Sequence, residues 1–195
     1  MLNSAIGFIT GYPFIYDLCQ IVLEGDYHEE ISKTMGGDTE KSVLDIGCGT
    51  GYFSQFHNGL YQGVDSDERY IQQAAVQYGS DKRIFKVGDA RKLDFPDNYF
   101  NASMIINIIH HLDDDAIITM LEEAKRVTVG QIYIFDMSTE PVSFLTHLLL
   151  SLDNGKHMRN LNEQVRLVER VAKVDGARTF GTPRGLLAHT AIVCH

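Results

Sequence analysis

Residues 43–53 read V-L-D-I-G-C-G-T-G-Y-F: a short apolar run breaks into glycines at alternate positions, Gly47, Gly49 and Gly51. The run Ser42–Ile46 is closed by these glycines and has the character of a strand buried on both faces. Glycines at its end allow a sharp turn into a following short helix. They also allow a ligand to approach backbone with no Cβ in the way.

The rest of the chain repeats the strand signal at Tyr61–Val64, Arg83–Val87, Ala102–Ile106 and Gln131–Phe135. Between these runs lie helical patterns: Tyr70, Ile71, Ala74, Ala75 and Tyr78 share one face, and Ile117, Ile118, Leu121, Ala124 and Thr128 share another. Strands that alternate with helices imply βαβ units and a mostly parallel sheet covered on both sides. Two weaker strands near Arg178–Gly181 and His189–Cys194 are expected to pair as an antiparallel hairpin at the sheet edge. Residues 3–35 read as one or two amphipathic helices. Residues 141–174 read as a helix, a turn at Asp153-Asn154-Gly155 and a second helix reaching about Lys173.

With 195 residues, 44% hydrophobic and 22% charged, the chain has the size and composition of one soluble domain. Its first 23 residues are apolar but lack Lys and Arg and contain Pro13 and Asp17, which fits neither a signal peptide nor a spanning helix. Cys19, Cys48 and Cys194 are odd in number and widely spaced, pointing to a reducing, cytoplasmic setting. The net charge of −9 argues against a nucleic-acid partner. The charge is uneven, for residues 151–195 hold seven basic and four acidic side chains. That is read as a solvated basic face, with contact to an anionic substrate as the alternative.

Carboxylates follow the glycine loop at the ends of later strands. Asp65, 18 residues after Gly47, can accept both hydroxyls of a ribose. Asp89 closes the third strand, where its oxygens can take an adenine amino group while the Ala90 N–H meets a ring nitrogen. Each aspartate alone is equally a cap or turn residue; together they mark one ligand crevice at the carboxyl ends of the strands. A dinucleotide fingerprint would place its third glycine at position 52, where this chain has Tyr52. With Asp45 inside the first strand as well, the site suits a cationic ligand better than a pyrophosphate.

The series VLDIGCGTG, GVDSD, VGDA and MIINIIHHL, in this order and spacing, resembles the class I S-adenosylmethionine-dependent methyltransferases. The small-molecule branch that includes the ubiquinone and menaquinone methyltransferases is the most similar. The likeness covers residues 40–137. It implies an α/β Rossmann-like, doubly wound sheet of seven strands in the order 3-2-1-4-5-7-6, strand 7 antiparallel. An N-terminal helical cap (1–36) would precede this cofactor-binding core, and substrate-side helices with closing strands (141–195) would follow, all in one domain. It further implies S-adenosylmethionine as cofactor, with Gly47, Cys48, Gly49 and Gly51 about the methionine moiety and Asp45 among the cofactor-binding residues. Asp65 and Ser66 would meet the ribose, Asp89 and Ala90 the adenine, and Asn107 the region of the transferable methyl.

The stretch N-I-I-H-H-L-D-D-D at 107–115 then falls at the carboxyl end of the fourth strand. Asp113 reads as a helix N-cap with Asp114 and Asp115 in the first turn, which accounts for the aspartates without a metal. Adjacent histidines are expected to diverge, and no H-x-H or H-x-x-x-H spacing is present. His110 or His111 can instead serve as the base that takes a proton from the methyl acceptor; the bland reading is that one caps backbone and the other packs under the helix. Apolar and aromatic residues at 8–16, including Tyr12 and Tyr16, and at 144–152 read as core. They read alternatively as a lid over a small hydrophobic acceptor. A protein or RNA methyltransferase, an NAD(P)-linked oxidoreductase and a non-catalytic cofactor-binding module are the rival readings.

Overall fold

The computed structural model describes residues 27–139, 157–181 and 188–195. Helix α1 (His28–Met35) leads into strand β1 (Val43–Ile46), and the glycine loop and a 3₁₀ turn (Tyr52–Phe56) lead to β2 (Tyr61–Asp65). Then follow α2 (Glu68–Tyr78), β3 (Arg83–Val87), β4 (Ala102–Ile106), a 3₁₀ turn (Ile109–His111), α3 (Asp114–Val127) and β5 (Ile132–Met137). Helix α4 (Leu161–Val168) precedes β6 (Val174–Gly181) and β7 (Ala188–Cys194).

The strands form one seven-stranded sheet in the order β3-β2-β1-β4-β5-β7-β6. β7 runs antiparallel to both β5 and β6, and the others are parallel. This is the order and sense implied by the sequence resemblance. Connections on opposite sides of β1 run in opposite directions along the sheet, so a crevice opens between the carboxyl ends of β1 and β4.

Alternation along the central strands builds two cores. Leu44, Ile46 and Ile105 face the layer made by α3 and α4, with Ile117, Leu121, Leu167 and Val168. Val43, Ala102, Met104 and Ile106 face α1 through Ile31 and Met35. Each large aliphatic side chain buried this way contributes about 1.5–3 kcal/mol, and both faces of the inner strands are used.

Helix ends follow local chemistry. Asp113 Oδ1 accepts the Ala116 N–H at 2.9 Å, with Asp114 and Asp115 in the first turn and Lys125 and Arg126 in the last. The cap expected from sequence is present, although α3 stops at Val127 and Thr128 is already extended. Asn160 and Glu163 form a reciprocal capping box on α4, at 3.0 and 2.8 Å.

Other expectations are corrected. β3 is not buried on both faces: it is an edge strand, with Ile84 and Val87 about half exposed. Arg83 and Lys86 on this strand are charges of the kind that discourage pairing with another chain. α4 ends at Val168, short of Lys173, because Lys173 exchanges backbone hydrogen bonds with His195 and the chain is already entering β6. β6 begins at Val174, four residues before the expected start. As the outer strand it is largely exposed, so its sequence lacks an apolar pattern. The hairpin partner β7 is an inner strand. Among the described residues no helix is long and apolar enough to cross a membrane.

Candidate active site

The strand register brings the ends of β1, β2, β4 and β5 to one edge. Ile46 is level with Val64 and Ile105, and Ile106 with Phe135, so Gly47, Asp65, Asn107 and Asp136 emerge side by side.

The loop glycines prove to have different tasks. All three have positive φ (76°, 52° and 78°), a region that costs other residues strain. A Cβ at Gly47 would lie 2.4 Å from Ile108 Cδ1, and one at Gly51 would lie 2.7 Å from the Phe85 ring. These two glycines therefore admit neighbouring side chains. Only at Gly49 does the space stay open, so that is where a ligand can come against the backbone. Cys48 sends its thiol against Gly63 of β2, and burial pushes the thiol well above its usual range. What Cys48 can offer a ligand is backbone.

Asp65 fastens the loop. Its Oδ2 accepts the Gly49 N–H at 2.9 Å and its Oδ1 accepts the Asp67 N–H at 2.8 Å. Partial burial raises its pKa against the lowering effect of those backbone donors. Each oxygen keeps a second lone pair, enough to accept two vicinal hydroxyls. Ser66 beside it is exposed.

Asp89 is more committed than the sequence suggests. Arg91 clasps it through Nε at 3.0 Å, Nη2 at 2.8 Å and its own N–H at 2.9 Å, and this partner holds the carboxyl below its usual range. The Ala90 N–H has no partner among the described residues, and remains available to an acceptor nitrogen. Arg91 was not singled out from sequence, because nothing in a D-A-R tripeptide separates a clasp from a solvated charge.

Asp45 lies in β1, fully buried, and accepts a hydrogen bond from the Tyr61 hydroxyl. Its Oδ1 has no hydrogen-bond partner among the described residues. Burial drives its pKa up to about 7, with Tyr61 opposing and the Asp65 charge adding. An acid raised in this way costs the fold nothing below its unfolded value of 3.8. The cost grows between there and about 7, and is constant above. Asp45→Asn should remove a cost of about 4 kcal/mol at pH 8. The variant's advantage in melting temperature should widen from pH 4 to 7 and then level off. An advantage that does not change with pH would show that Asp45 is not ionised by folding conditions in this way.

The turn after β4 sits directly on the glycine loop through Ile108 and Gly47. Asn107, buried, adopts φ +54°, a left-handed conformation that asparagine tolerates better than most residues. The two histidines differ. His110 is 3% exposed and its Nδ1 lies 2.5 Å from Oδ1 of the fully buried Asp136. His111 is exposed, yet its ring centroid is only 3.9 Å from that of His110, so the rings do not diverge as expected. Neither half of the bland reading describes His110: its partner is a carboxylate. A carboxylate only accepts, so Nδ1 carries the proton and the lone pair of the neutral ring is at Nε2. Asp136 also accepts the N–H groups of Ile109 and Met137, both at 2.7 Å.

Asp136 was missed in sequence, although it is a carboxylate at a strand end within the apolar run Y-I-F-D-M, the same signal that marks Asp65 and Asp89. Tyr12, Tyr16 and the 144–152 segment lie outside the described residues. Among the described residues no group of three His, Cys, Asp or Glu side chains is placed to hold a metal ion.

The cradle fits a nucleoside bearing a cationic tail. It has open backbone at Gly49, two acceptors for vicinal hydroxyls at Asp65, a donor at Ala90 and a buried carboxyl with a spare oxygen at Asp45. Residues 43–131 match the family model described as a methyltransferase domain. No curated protein matches the chain in sequence.

Solved structures share its fold. One is the complex between the Haloferax volcanii Trm112 methyltransferase activator and a methyltransferase, with TM-score 0.73 at 17% identity over 92% of each chain. Another is a SAM-dependent methyltransferase from Aquifex aeolicus, with TM-score 0.68 at 18% identity over 90% of this chain and 92% of that one. A third is a SAM-dependent methyltransferase from Methanosarcina mazei, with TM-score 0.65 at 20% identity over 80% and 92%. Residues 43–131 thus match a methyltransferase domain, the seven-stranded fold is shared with SAM-dependent methyltransferases, and the two together indicate S-adenosylmethionine as the cofactor.

Proposed function

We propose that the protein methylates a small, apolar acceptor that gives up a proton as it reacts, with His110 as the base and the whole chain acting as one domain. The observation that carries this reading is the buried His110–Asp136 pair, at the strand edge that also presents the glycine loop. When bound, S-adenosylmethionine supplies an electrophilic methyl group on sulfur.

The Gly47–Gly51 backbone, with the Asp45 carboxyl, would hold its methionine portion. Asp65 takes the ribose hydroxyls beside Ser66. Ala90, with the remaining acceptor capacity of Asp89, would hold the adenine, and Asn107 would serve the region of the methyl. His110 Nε2 receives the acceptor's proton while Asp136 steadies the imidazolium that results. Because the transfer is an in-line displacement, much of the acceleration comes from holding the two reactants in contact. The apolar segments at 8–16, with Tyr12 and Tyr16, and at 144–152 are assigned on sequence alone to the acceptor side. They suit a hydrophobic ring such as a quinone precursor better than a macromolecule.

The test is methyl-labelled S-adenosylmethionine incubated with the protein and an extract of cells lacking it. Label is expected in the organic-soluble, low-mass fraction. Label confined to protein or RNA would overturn the small-acceptor reading.

A further inference from the structure

The 3₁₀ turn Ile109–His111 that carries His110 has little to hold it by itself. Within it, His111 N–H donates to Ile108 O at 3.1 Å and Leu112 N–H to Ile109 O at 3.2 Å, and a turn this short is intrinsically weak. On one side Asp136 takes the Ile109 N–H and the His110 ring. On the other side lies the segment 157–160, distant in sequence and bonded to the Ile109 and His110 carbonyls of the turn and to that of Leu112 after it.

Arg159 makes most of those bonds. Its Nη1 donates to Ile109 O at 3.1 Å and to His157 O at 2.7 Å. Its Nη2 donates to Leu112 O at 3.0 Å and to Asp114 Oδ1 at 2.6 Å, and Nε reaches the same oxygen at 3.2 Å. The His157 N–H donates to His110 O at 3.1 Å. Three of the four carbonyls from Ile109 to Leu112 thus accept from His157 or Arg159. The arginine side chain is only 10% exposed, whereas Asp114 is 58% exposed.

Arg159 is itself anchored. The buried Gln164 donates Nε2 to Arg159 O at 3.1 Å and to Met137 O at 2.9 Å, while its Oε1 accepts from the Thr190 hydroxyl at 2.6 Å. The strap is therefore fastened to β5, which carries Asp136, and to β7 paired beside it. A planar guanidinium has its donors in a fixed fork, which suits bridging three carbonyls and a carboxylate at once; an ammonium cannot reproduce it.

We propose that Arg159 is a positioning residue: it locks the turn so that His110 keeps Nδ1 on Asp136 and Nε2 in the orientation that accepts a proton. The role rests on the reading of His110 as the base. Arg159 is not assigned contact with the cofactor. The arginine acts through geometry, and misplacement of a reacting group by about 1 Å can cost about a hundredfold in rate.

The experiment uses full-length protein with ¹⁵N-labelled histidine. The His110 Nδ1–H resonance is identified by its disappearance in His110→Gln. In Arg159→Met that proton is expected to exchange with water at least tenfold faster, or to vanish, while S-adenosylhomocysteine affinity stays within threefold of wild type. Arg159→Lys should recover part of the protection and serves as the working variant if Arg159→Met does not fold. Methyl transfer should fall ten- to a hundredfold in kcat with little change in KM. A folded Arg159 variant with an unchanged His110 signal would overturn the positioning role, even if its melting temperature fell. Loss of the His110 signal, with full methyl transfer by His110→Gln, would keep the clamp and refute the base.

Discussion

Replacing Asp65 by Ala is expected to weaken S-adenosylmethionine binding at least tenfold, and about a hundredfold where both ribose bonds are lost. Hydrogen bonds to a charged acceptor contribute about 1.5–3 kcal/mol each. Asp65 has one lone pair left on each oxygen after the Gly49 and Asp67 N–H groups are satisfied. Its removal also releases the Gly49 N–H, so part of the loss comes from a loosened loop. An analogue lacking the ribose hydroxyls separates the two effects. It should bind wild type more tightly than the natural cofactor binds the variant, and on binding the variant should lose only the part that comes from the loop. Equal losses in both proteins would show that Asp65 serves the loop alone.

His110→Ala and Asp136→Asn form the second pair of large effects. General-base catalysis typically contributes about 10²- to 10⁴-fold, so His110→Ala should lower kcat at least a hundredfold with cofactor affinity unchanged. Asp136→Asn keeps the size of the side chain but can present an amide N–H to Nδ1, which favours the wrong tautomer. It should approach the same loss. It also replaces a charged acceptor of two backbone N–H groups, and some loss of thermal stability is expected with it. Full turnover by both variants would remove the base from the mechanism and leave proximity alone to explain the rate.

The parts of this molecule that sequence exposes are those with one dominant physical cause. Buried strands need uninterrupted apolar residues, so β1, β4 and β5 stand out, and the Asp113 cap is legible because a carboxylate before a helical pattern has few other uses. Edge strands escape the same reasoning. β6 is largely solvent-exposed and reads V-D-G-A-R-T-F-G, with no pattern to find. At the site, Gly49 and Asp65 are where the glycine spacing and the strand end indicate. The reason for Gly47 differs, since the space a Cβ would need is filled by Ile108 from another strand's turn. Asp136, Arg159 and Gln164 escape sequence reasoning because the side-chain contacts that give them their roles, to His110, to Ile109 and Leu112, and to Met137 and Thr190, span 26 or more residues. Only pairing in space reveals that the second histidine of the motif is exposed while the first is held by a carboxylate.

The central assignment is the cofactor, and isothermal titration of the full chain with S-adenosylmethionine, S-adenosylhomocysteine and NADH tests it most directly. Saturable one-to-one binding of both sulfur nucleosides, with no heat from NADH, is expected from open backbone at Gly49, paired acceptors at Asp65 and Tyr52 in place of a third dinucleotide glycine. Saturable NADH binding with no response to either sulfur nucleoside would contradict it.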